Sequence, residues 1–166
     1  MSFSESEALE SPAVSAISLD QDVTRVSVTG IQKNPLAMSR LFASVAQNGV
    51  NVDIIVHNSP LHSPTFNVGF TVTKADLASA MLALELLKKE PDFSQIQIGT
   101  SSDLAKVSAV GLGMKSHSGV AAKVFETLSR EKIEVLMVST SEIKISCVVS
   151  LAEGKRAVQA LHQSFF

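Results

Sequence analysis

The sequence predicts an α+β protein built from two small units in tandem, each an antiparallel sheet covered on one face by two helices. Three observations support this prediction. The order strand, helix, strand, strand, helix occurs twice along the 166 residues. The helical segments carry apolar residues at intervals of three and four, as expected for helices with one buried face. Hydrophobic residues make up 45% of the chain and charged residues 18%, which is enough apolar material for a core.

The first unit begins with the strand-like run VSVTG, which ends at Gly30. A polar loop leads into a helix, and the apolar stripe of this helix consists of Met38, Leu41, Phe42 and Val45. The β-branched run VNVDIIV, from Val50, is predicted to be the second strand. The third strand is FNVGFTV at 66–72, and the second helix is KADLASAMLALELLKKE.

The second unit repeats each of these elements in the same order. VSAVG ends at Gly111, and the following helix has its apolar stripe at Val124, Phe125 and Leu128. IEVLMV and IKISCVV are the next two strands, and AEGKRAVQALHQSF is the last helix. Helices with one apolar face need a sheet to cover, so each unit is predicted to adopt the ferredoxin-like βαββαβ architecture.

Each unit needs a fourth strand, and the two units differ in where they find it. The first has SQIQIGT at 94–100 after its second helix, whereas the second ends soon after its helix. The unassigned run AVSAISL at 13–19 is predicted to cross over and complete the second sheet, since unpaired edge strands are unfavourable. The predicted organisation is a flexible N-terminus at 1–12, this swapped strand, a first domain at 22–100 and a second at 104–166.

Composition excludes several classes of function. Fourteen basic and sixteen acidic side chains give a net charge of −2, which does not suit a binder of nucleic-acid phosphates. The chain lacks Trp and Tyr, so base-stacking platforms are not expected. The single cysteine, Cys147, indicates a reducing compartment and is predicted to be a buried apolar residue. With no apolar run of eighteen residues and no secretory signal, we expect a cytoplasmic protein that does not enter a membrane.

The loop GLGMKSHSG, before the third helix, has some features of a phosphate-binding loop but matches neither common nucleotide motif. Met114 separates Gly113 from Lys115, and Ser116 stands where a dinucleotide loop needs glycine. A polar loop at a helix start still presents free N–H groups and the positive end of the helix dipole. Gly119 allows close approach, and Ser118 is a candidate cap. The loop is therefore interpreted as an anion site, and a carboxylate fits such a place as well as a phosphate does.

The strings AKVSAVGLGMKSHSGVAAKVFETL, STSEIKIS and ALHQSFF closely resemble the C-terminal regulatory portion of aspartate kinases, a tandem pair of ACT domains. GVNVDIIVHNS resembles the matching segment of the first ACT domain, and the resemblance covers roughly residues 12–166. It implies an allosteric regulatory module that binds free lysine or threonine between ACT domains and mediates feedback inhibition of aspartate phosphorylation. It also implies an aspartate kinase catalytic chain or domain as partner, since no kinase domain is present in these residues.

The resemblance also implies which residues bind the effector. In the first repeat they are Lys33, Asn34, Pro35, Leu36, Ala37, Asn51, Val52, Asp53, His57, Asn58 and Ser59. In the second repeat they are Met114, Lys115, Ser116, His117, Ser118, Gly119, Val120, Ala121, Glu134, Val135, Ser139, Thr140, Ser141 and Glu142. The loop QKNPLA departs from the PDKPGxA of threonine-sensitive relatives. Leu36 crowds its helix start and His57 replaces a usual glutamine, which argues against a threonine site in the first repeat.

Several alternatives remain open at this stage. The histidines have no metal spacing, so we expect no metal, and we expect no cofactor other than the amino-acid effector. No catalytic constellation can be singled out, so this chain alone is not expected to be an enzyme. Apolar, β-branched edge strands predict a homodimer joined edge to edge. The second hypothesis is a stand-alone ACT-domain amino-acid sensor acting on a different partner, which copurification of a kinase chain would distinguish.

Overall fold

The computed structural model describes residues 13–114 and 117–166, and over these residues the chain forms one six-stranded sheet with four α-helices. The strands are β1 (Ala16–Gln32), β2 (Ile55–Asn58), β3 (Thr65–Val72), β4 (Gln97–Val110), β5 (Met137–Thr140) and β6 (Lys144–Ser150). The helices are α1 (Ala37–Gln47), α2 (Leu77–Leu87), α3 (Val120–Arg130) and α4 (Gly154–Phe165). The strand order is β2-β3-β1-β4-β6-β5 with antiparallel pairing throughout, so the predicted α+β fold class is confirmed.

The long strands β1 and β4 run through both repeats and join them into one sheet. At one end of their ladder Ala16 lies opposite Val110, in the second repeat. At the other end Val28 lies opposite Ile98, in the first repeat. The register shifts between these two segments, so the ladder changes course where one repeat gives way to the other.

Separate strands at 13–19 and 94–100 were predicted, whereas the structure incorporates most of both segments into β1 and β4. The reason is that β1 and β4 pair with each other on both sides of the junction, so the strands do not break there. Residues 16–20 pair with residues 106–110 of the second repeat. The domain boundaries at 22–100 and 104–166 stay a prediction, and the predicted flexible segment 1–12 lies outside the described residues.

The two helix-covered cores lie side by side, one in each repeat. In the first core, α1 and α2 pack on β1 and β3 through buried residues that include Val26, Phe70, Leu41, Val45 and Leu84. In the second core, α3 and α4 pack on β4 and β6 through Val107, Cys147, Val124, Leu128 and Leu161. Cys147 is buried as predicted, and this burial raises the pKa of its thiol to about 11.

One member of the predicted apolar stripe of α3 is not buried. Phe125 is 37% exposed, while Val124 and Leu128 face the sheet. Thr127 takes the remaining inward position, and its hydroxyl is bonded to the Lys123 carbonyl oxygen at 2.7 Å and to Ser164 Oγ at 2.9 Å. The inward face of α3 is therefore rotated by about one residue from the predicted stripe.

The second strand of each repeat is shorter than its apolar run predicts. VNVDIIV contributes only its last residues to β2, which begins at Ile55. The Ile54 N–H donates to the Thr71 hydroxyl rather than to a backbone oxygen, at 3.0 Å, and this side-chain bond precedes the regular ladder. The predicted strand IEVLMV likewise enters β5 only at Met137.

The opposite, helix-free face of the sheet is concave. The edge strands β2 and β5 stand at opposite ends of the strand order, yet they contact each other. A third apolar cluster lies on this inner face and consists of Val23, Ile54, Leu104, Met137 and Val148, with Leu136 packed against it. The sheet therefore curls so that side chains of both repeats meet on its helix-free side.

Candidate functional site

The predicted effector loop and the turn between β5 and β6 enclose one cavity of about 380 Å³ at the N-terminus of α3. Its lining includes most of the second-repeat residues that the sequence singled out: Met114, His117, Gly119, Val120, Ala121, Thr140, Ser141 and Glu142, together with Ile145. Two segments about twenty residues apart in sequence thus form opposite walls of the same cavity.

The helix side of this cavity is suited to a carboxylate. Gly119 is the N-cap of α3 and adopts the left-handed conformation, with φ of 92°, which glycine adopts without strain. The first intrahelical bond of the helix runs from the Lys123 N–H to the Gly119 carbonyl, at 2.9 Å. The N–H groups before Lys123 have no partner within the helix, and they carry its positive dipole end. Within the described residues no side chain caps this helix, so Ser118 does not take the capping position expected of it.

The strand side of the cavity carries hydroxyl groups and one carboxylate. The Ser141 N–H donates to the Lys144 carbonyl at 2.8 Å, and the Ser141 hydroxyl accepts the Ile143 N–H at 3.4 Å. These bonds close a tight turn that holds Thr140 and Glu142 at the cavity wall. Oxygen-rich groups of this kind accept the three N–H bonds of an ammonium group. The cavity therefore has a donor-rich side and an acceptor-rich side, as a zwitterionic amino acid requires.

His117 is fixed in the loop by its own hydrogen bond. Its Nδ1 lies 2.6 Å from the Gly113 carbonyl oxygen, which can only accept, so Nδ1 carries the proton and donates. This bond closes the loop over four residues and orients the imidazole at the cavity wall. Lys115 and Ser116, also predicted to bind the effector, lie outside the described residues.

Four predicted residues of the second repeat do not line this cavity. Ser118 lines a neighbouring cavity of about 330 Å³, together with Lys123 and Phe165. Glu134 is exposed, and Val135 packs against the second core. Ser139 lies within β5, where it pairs with Ser146 of β6. The resemblance implies effector contacts for all four, and of these only Ser139 lies within a strand.

The matching loop of the first repeat is closed by its own contacts. The Lys33 ammonium group donates to the Pro60 carbonyl oxygen, and Asn34 Oδ1 accepts the Leu36 N–H at 2.9 Å. Leu36 is the N-cap of α1, at the position of Gly119 in the second repeat, and its side chain is 62% exposed. Pro35 is exposed and Ala37 is buried against the core. A bulky side chain thus stands at the helix start, which the second repeat leaves open.

The remaining predicted residues of the first repeat do not all line one cavity. Asn51, Val52 and Asp53 line a cavity of about 310 Å³ on the inner face of the sheet. Asn58 lines a different cavity, and exposed His57 contacts the Phe66 ring edge-on, with 5.1 Å between centroids. Ser59 is exposed beyond the end of β2. Eight of the fourteen predicted residues of the second repeat thus line one cavity, whereas those of the first repeat are divided among several places.

Sequence reasoning missed the other charged residues around Asp53. Lys106 of the second repeat forms an ion pair with Asp53, and Asp20 and Asp22 line the same cavity. Asp22 Oδ1 accepts the Lys74 N–H at 2.8 Å, and Asp20 Oδ1 accepts the Asp22 N–H at 2.9 Å. Both carboxylates are thereby engaged with backbone N–H groups. The only sequence signal was the short acidic run DQD, because the cavity forms where separate parts of the chain meet.

Across 13–114 and 117–166, no three His, Cys, Asp or Glu side chains come together in a way that could hold a metal ion. Among the helices of these same ranges, none is both long and apolar enough to cross a membrane.

Comparison with known protein families identifies a relative for the second repeat. A family profile for the ACT domain matches residues 107–165. Over 152 residues the chain is 43% identical to an aspartokinase of Bacillus sp. (strain MGA3). The match covers 92% of this chain and 36% of that protein. The chain thus spans about 36% of the length of this curated relative.

Two solved structures match more than nine tenths of this chain and nearly all of their own chains. The ligand-free regulatory subunit of aspartate kinase from Thermus thermophilus superposes with a TM-score of 0.84 at 31% identity. The match covers 93% of this chain and 99% of that one. A structure of aspartokinase alpha and beta subunits matches with a TM-score of 0.83 at 35% identity, over 92% of this chain and 99% of that one.

Proposed function

This chain belongs to the family of aspartate kinase regulatory chains built from ACT domains, and from that premise we propose that it is an allosteric amino-acid sensor. Its effector is free lysine or threonine, bound in the cavity at the N-terminus of α3. Binding inhibits the ATP-dependent phosphorylation of aspartate by a catalytic chain or domain. These 166 residues correspond to the regulatory part and hold no kinase domain, so the chain itself is not the enzyme.

The observation that carries this proposal is the polarity of the α3 cavity. The N–H groups of Val120 and Ala121, which have no partner within α3, favour the effector carboxylate. The hydroxyl groups of the β5–β6 turn and the carboxylate of Glu142 favour its ammonium group. Met114 and Ile145 supply apolar wall for the carbon chain. The carboxylate of Glu142 on the strand side of this cavity would repel a phosphate ligand.

We assign one competent site to each chain, in the second repeat. The first repeat has Leu36 where the second has Gly119. The loop of the first repeat also uses the polar groups of Lys33 and Asn34 in internal hydrogen bonds. A ligand that approaches the N-terminus of α1 meets the Leu36 side chain before it reaches the helix N–H groups.

A homodimer joined through strand edges is part of the same proposal. The edge strand β2 is exposed along its whole length, with Ile55 49% and Val56 38% exposed. Val138 of β5, the strand at the other edge, is 36% exposed. Exposed apolar edges are unfavourable in water, and pairing with a second chain covers them. A ligand bound at such a junction favours one quaternary arrangement of the chains over another only if its affinity for the two arrangements differs.

The test of this function is an assay with an aspartate kinase catalytic chain. The full 166-residue chain is mixed with that catalytic chain, and aspartate phosphorylation is followed as lysine, threonine or both are added. The proposal expects copurification of the two chains and inhibition that requires this chain. If an amino acid binds to this chain but leaves the kinase unaffected, the stand-alone sensor acting on a different partner is the correct function. A cytoplasmic location stays a prediction.

A further inference from the structure

We propose that a second ligand site lies around Arg25 on the concave, helix-free face of the sheet, and that it binds a small monocarboxylate without an ammonium group. This site is separate from the α3 cavity and its ligand is chemically different. It therefore does not depend on the proposed effector.

The cavity at this position has a volume of about 260 Å³ and contains residues of both repeats. Its polar groups are the Arg25 guanidinium, the Ser27 hydroxyl and the amides of Asn58 and Asn67. Its apolar wall consists mainly of Val56, Val68, Leu136 and Met137. Of the residues at 13–114 and 117–166, no Asp or Glu lines this cavity. One cation with neutral donors and an apolar wall is the composition expected of a site for a small organic anion.

Arg25 has no carboxylate partner among the residues that the structure describes. The residues opposite it on the neighbouring strands are Thr71 on β3 and Ser101 on β4, and both are uncharged. In contrast, each of the chain's other three arginines pairs with at least one carboxylate: Arg40, Arg130 and Arg156. Arg25 is half-buried on the inner face, so its charge is only partly hydrated.

The internal repeat provides a comparison for this unpaired charge. The residue of the second repeat that corresponds to Arg25 is Lys106. Arg25 is the third residue of the string VTRVS, and Lys106 is the third residue of the matching string LAKVS. Lys106 pairs with Asp53 of the other repeat, and its side chain is only 14% exposed. By the same correspondence, the partner of Arg25 should come from the second repeat, at the position that matches Asp53.

That matching position is occupied by Leu136. The Asp53 N–H donates to the Thr71 carbonyl at 3.1 Å, and the Leu136 N–H donates to the Val148 carbonyl at 2.8 Å, so both residues hold the same place beside the third strand of their repeat. Leu136 lines the Arg25 cavity, as Asp53 lines the Lys106 cavity. One half of the inner face thus contains a cation with its carboxylate. The other half contains a cation, an apolar side chain and an open cavity.

The surroundings of Arg25 determine which anion fits. A carboxylate accepts two parallel bonds from a guanidinium group, and the apolar wall near Leu136 suits a short carbon chain. Asn67 Oδ1 already accepts the Gly30 N–H at 3.1 Å, which orients the amide and leaves its NH₂ group to donate. Among the described lining residues Arg25 is the single cation, so the second charge of a phosphate dianion would have no partner, and an amino acid would leave its ammonium group without a carboxylate. A short-chain carboxylate such as propionate matches both the single positive charge of Arg25 and the apolar wall.

The experiment is an NMR titration of the ¹⁵N-labelled 166-residue chain with sodium propionate at constant ionic strength. 1-Propanol and propylammonium chloride, which have the same carbon chain without the carboxylate, are the control ligands. We expect propionate alone to shift the backbone amides of Ser27 and Gly69 in a saturable manner. Arg25→Gln should weaken propionate binding by about ten-fold or more, since a charge-assisted pair is lost. Arg130→Gln, which removes an exposed arginine on α3, should leave it unchanged.

A second pair of variants tests the missing carboxylate directly. Leu136→Asp places an internal carboxylate at the position that corresponds to Asp53, so it should abolish propionate binding. In Leu136→Asn the new side chain has the shape of aspartate without its charge. This variant should therefore bind propionate more tightly than Leu136→Asp does. The proposal is overturned if propionate does not shift these amides, or if Arg25→Gln binds it as tightly as the unaltered chain. Lysine and threonine titrations of the same variants report on the α3 cavity alone, so failure of one site is distinguishable from failure of the other.

Discussion

Gly111 and Ala13 are in such close contact that no side chain fits between them: a Cβ on Gly111 would lie 1.9 Å from the Ala13 carbonyl oxygen. Next to this contact the Ser15 N–H donates to the Val110 carbonyl at 2.7 Å. The start of the described chain is thereby held against the end of β4, in the second repeat. This contact joins the first described residues to a part of the second repeat that lies 95 positions later in the case of Ser15 and Val110.

Gly111→Ala should therefore destabilise the whole chain. The added methyl group meets backbone atoms that cannot rotate away, so the N-terminal segment or β4 must shift, at a cost of about 1–3 kcal/mol. Denaturant unfolding followed by circular dichroism measures the loss. Gly69→Ala is the matched control in a strand, because its Cβ would lie 3.7 Å from Met137 Cε, an ordinary contact. Equal stability of the two variants would contradict the close packing described here.

The ion pair between Lys106 and Asp53 should respond unequally to loss of either partner. Lys106 is 14% exposed and Asp53 is 52% exposed, so an unpaired Lys106 is the less hydrated of the two. We expect Asp53→Asn to cost about 1–2 kcal/mol, and Lys106→Met to cost less because Met fills the space of the lysine stem. Thermal and denaturant unfolding of both single variants and the double variant give the values. A larger loss of stability for Lys106→Met than for Asp53→Asn would show that the ion pair is not the main contribution of these side chains to the free energy of unfolding.

Stability should fall in alkaline solution because of Cys147. Burial raises the pKa of the folded thiol to about 11 from a reference value of 9.0. The unfolded chain therefore loses this proton first, and the contribution is complete below pH 9.0 and lost as pH rises towards about 11. The total effect is about 2–3 kcal/mol. Unfolding between pH 8 and pH 11 should show a steeper decline for the unaltered chain than for Cys147→Ala. Parallel curves would contradict the assignment to this thiol.

The repeat explains why so much of the fold could be predicted from the sequence. Each local signal occurs twice, so the strand before Gly30 supports the strand before Gly111, and the helix through Phe42 supports the helix through Phe125. The α3 cavity could be predicted for a different reason. Its walls are two short segments with clear residue types, a glycine-rich loop and the hydroxyl-rich STSE run.

The features that could not be predicted depend on contacts between the repeats. The ion pair of Lys106 with Asp53 and the cavity around Arg25 form only because the sheet curls and brings the two inner faces together. Nothing in the local sequence encodes that curvature. The continuity of β1 across residues 20–25 was also missed, because the polar run DQDVTR has the composition of a loop. Pairing with β4 overrides this local preference.

The central claim is that a free amino acid binds at the N-terminus of α3 and changes the assembly of the chain. Its most direct test is calorimetric titration of the full chain with lysine, threonine and methionine in turn, with light scattering in parallel. We expect saturable binding of lysine or threonine and a change of mass in solution. Glu142→Gln should weaken this binding by about ten-fold or more, through loss of the charged acceptor, while Glu126→Gln on the exposed face of α3 leaves it unchanged. Absence of heat from all three amino acids, or equal affinity in Glu142→Gln, would contradict it.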